Sequence, residues 1–230
     1  MSDTFKITLA QLNPTVGDLN GNADKAFAAW KQGKHGGADL VALPEMFITG
    51  YNAQDLISKP AFHMAAIETI QRLALACAEG PALAIGGPWK EGSSVFNAYF
   101  ILHSGQIKSV VEKHHLPNES VFDEVRIFDS GAIGGPYSVG NTRIGSPICE
   151  DAWHEDVVET HAETGAEFLL IPNGSPYHRG KRDTRLNIMV SRVVESGLPL
   201  IYLNMVGGQD DQVFDGGSFA LNADGSLALQ

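Results

Sequence analysis

At 230 residues and 43% hydrophobic content, the chain is long enough for one large domain or two small ones with a substantial core. Its 16 Lys and Arg stand against 27 Asp and Glu, a formal charge of -11 whose field would repel nucleic acid and anionic membrane. Two cysteines, Cys77 and Cys149, are too few for a disulfide framework, and no apolar run reaches the roughly 18 residues of a membrane span, so a single cytoplasmic domain with neither nucleic-acid nor membrane partners is expected.

In chain order, "FKITLAQL" reads as a strand, "NADKAFAAWKQGKHG" as a helix stopped by Gly36 and Gly37, and "DLVALPE" as a second strand. "FHMAAIETIQRLALACAEG" reads as a helix ending at Gly80, "ALAIGG" as a buried strand, and "VFNAYFILHSGQIKSVVEK" as a hairpin turning at Ser104 and Gly105. Residues 114–137 carry little periodicity, yet Phe122, Ile127 and Phe128 argue for order, and irregular stretches of this kind inside compact domains are usually functional. The second half repeats the pattern: strand "TRIGSPI", helix "DAWHEDVVETHAETG", strand "EFLLIPN", helix "KRDTRLNIMVSRVVESG", strand "PLIYLNMVG", and a final hairpin, "GSFALNADGSLALQ", with an Asp-Gly turn. Two similar halves predict an α/β fold of four layers, two sheets face to face with helices outside. The last hairpin runs apolar to Gln230, so residues 1–230 are expected to be one domain of a longer protein.

Three strand ends carry candidate chemistry. Cys149, in "SPICEDAW", lies between a strand and a helix expected to start near Asp151, an address that ligands and nucleophiles favour in α/β folds. Helix-end amides would lower its pKa while Glu150 and Asp151 oppose them, and a buried structural thiol is the alternative reading. Cys77, inside an amphipathic helix, reads as core. The eight histidines form no cysteine-hydrolase signature, and without HExxH or CxxC spacing no metal is expected. Glu45, directly after "LVALP", would be half-buried and so a better base near neutrality. Lys113, ending "VVEK", could donate to a developing oxyanion.

Glu45, Lys113 and Cys149, in that order, resemble the carbon-nitrogen hydrolase, or nitrilase, superfamily, which implies an α-β-β-α sandwich. More narrowly, "LPEMFITGY", "EKHHLPNESVFDEVRIF", "ICEDAW", "NGSPYHRGK" and "GGQDDQVFDGGS" are together similar to the glutaminase domains of glutamine-dependent NAD synthetases. The resemblance implies that Glu45 is the general base, that Cys149 attacks the glutamine side-chain amide to give a γ-glutamyl thioester, and that Lys113 with a backbone N–H after the cysteine holds the oxyanion. It also implies a second carboxylate, best matched by Glu124, and substrate contacts from Tyr51 at the pocket wall, Glu150 to the α-ammonium, and Ser175 with Lys181 to the α-carboxylate. Implied partners are glutamine, a C-terminal synthetase domain and further copies of the chain.

Two features depart from that pattern. Glu119 stands where relatives often carry an aromatic residue, which predicts a more polar pocket wall. The Ser-Gly-Gly-x-Asp-Ser loop of an ATP-dependent amidating domain is absent, and the Gly pairs of "IGGP", "VGGQD" and "DGGS" lack phosphate-loop spacing, so ATP and Mg are expected only in the missing domain. The rivals are a free-standing nitrilase-family amidase and a non-catalytic assembly domain.

Overall fold

The computed structural model describes residues 4–119 and 121–230. In chain order the elements are β1 (Ile7–Leu9), α1 (Leu19–His35), β2 (Leu40–Ala42), α2 (Pro60–Ala76), β3 (Ala82–Glu91), β4 (Ser94–His103), β5 (Gln106–Glu112), β6 (Tyr137–Val139), β7 (Thr142–Gly145), α3 (Glu155–Glu163), β8 (Phe168–Asn173), α4 (Lys181–Ser196), β9 (Leu200–Asn204), β10 (Val206–Gln209), β11 (Gln212–Asp215), β12 (Phe219–Leu221) and β13 (Leu227–Leu229). Strands β1 to β5 form one sheet in sequence order. A second sheet runs β13-β12-β9-β8-β7-β6. Each is mixed, with parallel strands β1, β2 and β3 in the first and β7, β8 and β9 in the second.

The alternation of side chains along each strand builds four layers. On β2, Val41 faces a core shared with Trp30 of α1 and with Ile70 and Leu73 of α2. Its neighbours Leu40 and Ala42 point the other way, with Tyr99 and Ile101 of β4, to meet Ile144, Leu170 and Leu203 of the second sheet. On β8, Leu169 and Ile171 face outward onto Val158 of α3 and Met189 and Val193 of α4. Helices on β, β on β and β on helices give the α-β-β-α sandwich, whose buried apolar faces supply the driving force at about 25 cal/mol per Å².

Several boundaries move for physical reasons. Helix α1 begins at Leu19, before the predicted Asn22, because the Asp18 carboxylate accepts the Gly21 N–H at 2.9 Å and caps it. The helix predicted from Asp151 is split: Cys149–Trp153 is a 3-10 turn, His154 is extended, and α3 starts only at Glu155. Asp151 does not start α3, because its carboxylate is used by the backbone N–H groups of Ile148, His114 and His115. Strand β6, three residues long, lies unpredicted at the end of the 114–137 stretch. The single strand expected over "PLIYLNMVG" breaks after Asn204; β10 leaves to pair with β11, and Gly207, at φ +130° and with an imagined Cβ 2.3 Å from the Asn13 side chain, permits the departure. The predicted turn at Ser104 and Gly105 holds, both residues having positive φ as a two-residue hairpin requires.

Candidate active site

Glu45 leaves the end of β2, Lys113 follows β5 directly, and Cys149 follows β7, so parallel and antiparallel strands deliver all three to one edge of the sandwich. Glu124 arrives from a 3-10 turn, Glu124–Arg126, in the long segment after β5. All four are buried. Lys113 Nζ lies 2.7 Å from Glu45 Oε1 and 2.9 Å from Glu124 Oε2. The first contact is a hydrogen bond and the second an ion pair, with Glu124 Oε2 accepting no hydrogen bond among the described residues, so the ammonium keeps N–H capacity for another acceptor.

Both carboxylates are held by further groups, of which the sequence singled out Tyr51 but not Asn97 or Gly174. The Asn97 Nδ2, on β4, donates to Glu45 Oε1 at 2.8 Å and to Glu124 Oε1 at 3.3 Å. The Gly174 N–H donates to Glu45 Oε2 at 2.7 Å, leaving that oxygen a further lone pair, and Tyr51 OH donates to Glu124 Oε1 at 2.8 Å. Gly86 admits the Glu45 backbone against β3, since a Cβ there would lie 2.2 Å from the Met46 nitrogen. Asn97 sits in an otherwise apolar strand and Gly174 contributes only its backbone, so neither has a periodic signal.

Electrostatics follow from burial and charge together. Burial alone would depress the Lys113 ammonium, but the Glu124 and Glu45 carboxylates hold its pKa well above the ordinary value. Burial raises Glu124, with Lys113 opposing and Glu45 adding to the rise. Burial, then Glu45, pushes the Cys149 thiol well above its usual range against the pull of Lys113. The resting thiol is therefore protonated, and a base must take its proton when it attacks. Cys149 also has φ +47°, uncommon for a residue with a Cβ, which presents it at the head of the 3-10 turn. Cys77, by contrast, caps α2 inside the core, where burial lifts its thiol to about 12.

Of the substrate-contact candidates, Glu150 and Lys181 face a cavity of about 620 Å³, lined also by Leu116, Glu119, Phe122 and Trp153. Lys181 Nζ rides 4.3 Å over the Trp153 ring. Burial lowers its pKa, while Cys149 and Glu150 act to raise it. Glu119 lies in that lining. Tyr51 is buried, meeting the wall through its packing on Phe122. Ser175 is also buried: its Oγ accepts from Arg185 Nε at 3.0 Å, and its backbone is clamped by Asn204 at 3.0 Å on both N–H and C=O. Arg185, whose place on an apparently solvated helix hid it, also reaches Asp215 at 2.8 Å, tying "NGSPYHRGK" to "GGQDDQVFDGGS". A larger cavity, about 710 Å³ around Phe5, His103 and Thr142, contains none of these groups and no cysteine.

The carbon-nitrogen hydrolase family profile matches residues 6–230. A curated relative, the glutamine-dependent NAD(+) synthetase of Rhodobacter capsulatus, is 56% identical over 230 residues, covering 100% of this chain and 42% of that protein. The structure of glutamine-dependent NAD+ synthetase from Acinetobacter baumannii in complex with ADP superposes with TM-score 0.91 at 33% identity, over 98% of this chain and 43% of that one. An amidase from Nesterenkonia sp. shares the fold, with TM-score 0.83 at 24% identity over 97% of this chain and 84% of that one. The chain thus spans less than half the length of the synthetases it matches.

Proposed function

The chain belongs to the carbon-nitrogen hydrolase family, and we propose that it hydrolyses the side-chain amide of glutamine to glutamate and ammonia. The observation that carries the proposal is the buried Glu45–Lys113–Glu124 cluster, with the buried Cys149 delivered to the same edge of the sandwich. The relatives named glutamine-dependent NAD synthetases support glutamine as the amide.

Glu45, through the spare lone pair on Oε2, takes the Cys149 proton as Sγ bonds to the amide carbon. The C=O pair moves onto oxygen, and an N–H of Lys113 not given to Glu45 meets the charge. Collapse breaks the C–N bond, with Glu45 returning the proton to the departing ammonia. Water, deprotonated by Glu45, then cleaves the thioester and frees glutamate and the thiol. Glu124 balances the Lys113 charge and, with Tyr51 and Asn97, fixes its position. Glu150 and Lys181 offer opposite charges to the ammonium and carboxylate of an amino-acid head group, and Ser175, whose Oγ accepts from Arg185, is a further candidate for the carboxylate. The ammonia would pass to a C-terminal synthetase domain for amidation of deamido-NAD, with ATP and Mg bound there and the chain assembling as a homo-oligomer.

The test is turnover of glutamine compared with a simple chain amide of the same length lacking the α-ammonium. The proposal expects glutamine to be favoured by at least tenfold in kcat/KM. Equal efficiency on both would instead support a free-standing amidase, and no ammonia from either would support an assembly domain.

A further inference from the structure

The sequence offers no metal-ligand spacing, yet the fold brings His114 and His115, just after Lys113, against Asp156 in the first turn of α3. One donor atom from each lies within 4.8 Å of the others. We propose that His114, His115 and Asp156 form a binding site for a divalent transition-metal ion of the zinc class, beside but separate from the catalytic cluster.

Three observations carry it. Two imidazoles and one carboxylate are the donors such ions prefer, and a three-residue set leaves a position for water. His115 Nε2 now lies 2.8 and 3.0 Å from the two Asp156 oxygens, a hydrogen-bonded pair that an entering ion would open to the roughly 3.3–3.5 Å between ligands about 2.0–2.2 Å from a tetrahedral centre. The rings are held from outside: His114 Nδ1 is 2.7 Å from the Gly131 carbonyl, as a supporting shell requires, and His115 stacks on His154 at 3.9 Å. Both histidine backbone N–H groups are fixed by Asp151, at 3.0 and 2.7 Å.

The charge also suits a cation. Glu150 Oε1 stands 3.7 Å from His154 Nε2, and the chain as a whole carries -11. Asp156 is half exposed, so an ion can enter and the carboxylate can close the remaining gap to His114 by a rotamer change. A hydrogen-bonded His–Asp pair would need only one of the two histidines. Occupancy would clamp α3 to the segment leaving Lys113.

Cobalt(II) is the probe, added to the intact chain, because four-coordinate nitrogen and oxygen ligation gives visible d–d bands and thiolate ligation adds a sulfur-to-metal charge-transfer band. The expected result is one ion per chain without the charge-transfer band, and affinity reduced at least about tenfold in both His115→Ala and Asp156→Asn while the unfolding transition stays in place. Absence of d–d bands, a charge-transfer band marking Cys149 or Cys77, or unchanged affinity in the two variants would overturn the site.

Discussion

Lys113 is a residue on which rate and fold both depend. Lys113→Met takes away the free oxyanion donor, worth about 10²- to 10³-fold in rate, and leaves Glu45 and Glu124 buried together without their cation, a loss of roughly 3–5 kcal/mol. Kinetics and denaturant unfolding of the same variant should show both losses; a stable variant with full turnover would contradict the assigned role. Asp151 acts at one remove, since its carboxylate joins the turn carrying Cys149 to the amides just after Lys113. Asp151→Asn turns an NH₂ toward one of those N–H donors, so we expect a cost of about 1–3 kcal/mol and a fall in kcat larger than any change in KM. Glu45, Lys113 and Cys149 were legible because each ends an apolar run. Asp151, Asn97 and Arg185 were not, because the partners that fix them, among them His114, Glu45 and Asp215, lie 37, 52 and 30 residues away in sequence, and no local pattern records such a contact.

At the scale of elements, strand ends set where the chemistry sits and glycines set how closely they approach. Gly86 of β3 is the clearest case: an added Cβ would lie 2.2 Å from Met46 N and 2.6 Å from the Glu45 carbonyl carbon, backbone atoms that cannot swing aside. Gly86→Ala should therefore shift Glu45, destabilise by about 1–3 kcal/mol and lower turnover beyond what the stability loss explains. Thermal unfolding alongside glutamine hydrolysis checks it, and an unchanged rate would refute the close approach. Long periodic helices and the hairpins β4–β5 and β12–β13 were readable because periodicity and turn chemistry are local. Strands β6, β10 and β11, three or four residues long, were not, since a strand so short is defined by its partner.

For the whole molecule, four layers bury titratable groups that link folding to pH. Burial lowers His161 of α3 from 6.5 to about 4, and its Nδ1 has no hydrogen-bond partner among the described residues. The unfolded chain takes up that proton first, so stability is lost as pH falls from about 6.5 through about 4. Asp151 runs the other way: burial raises it to about 7 against its N–H donors and Lys113, so its contribution is full below its ordinary value of 3.8 and fades as pH rises through 7. His161→Leu should gain on the parent by up to about 3 kcal/mol between pH 6.5 and 4, seen as a widening difference in unfolding midpoint. A constant difference would place the His161 titration elsewhere. That Cys149, of two buried thiols, is the one that reacts with glutamine is tested most directly by mass spectrometry after reaction with a glutamine analogue bearing an electrophile. The account predicts a single adduct on Cys149 with Cys77 untouched; an adduct on Cys77, or none on Cys149, would contradict it.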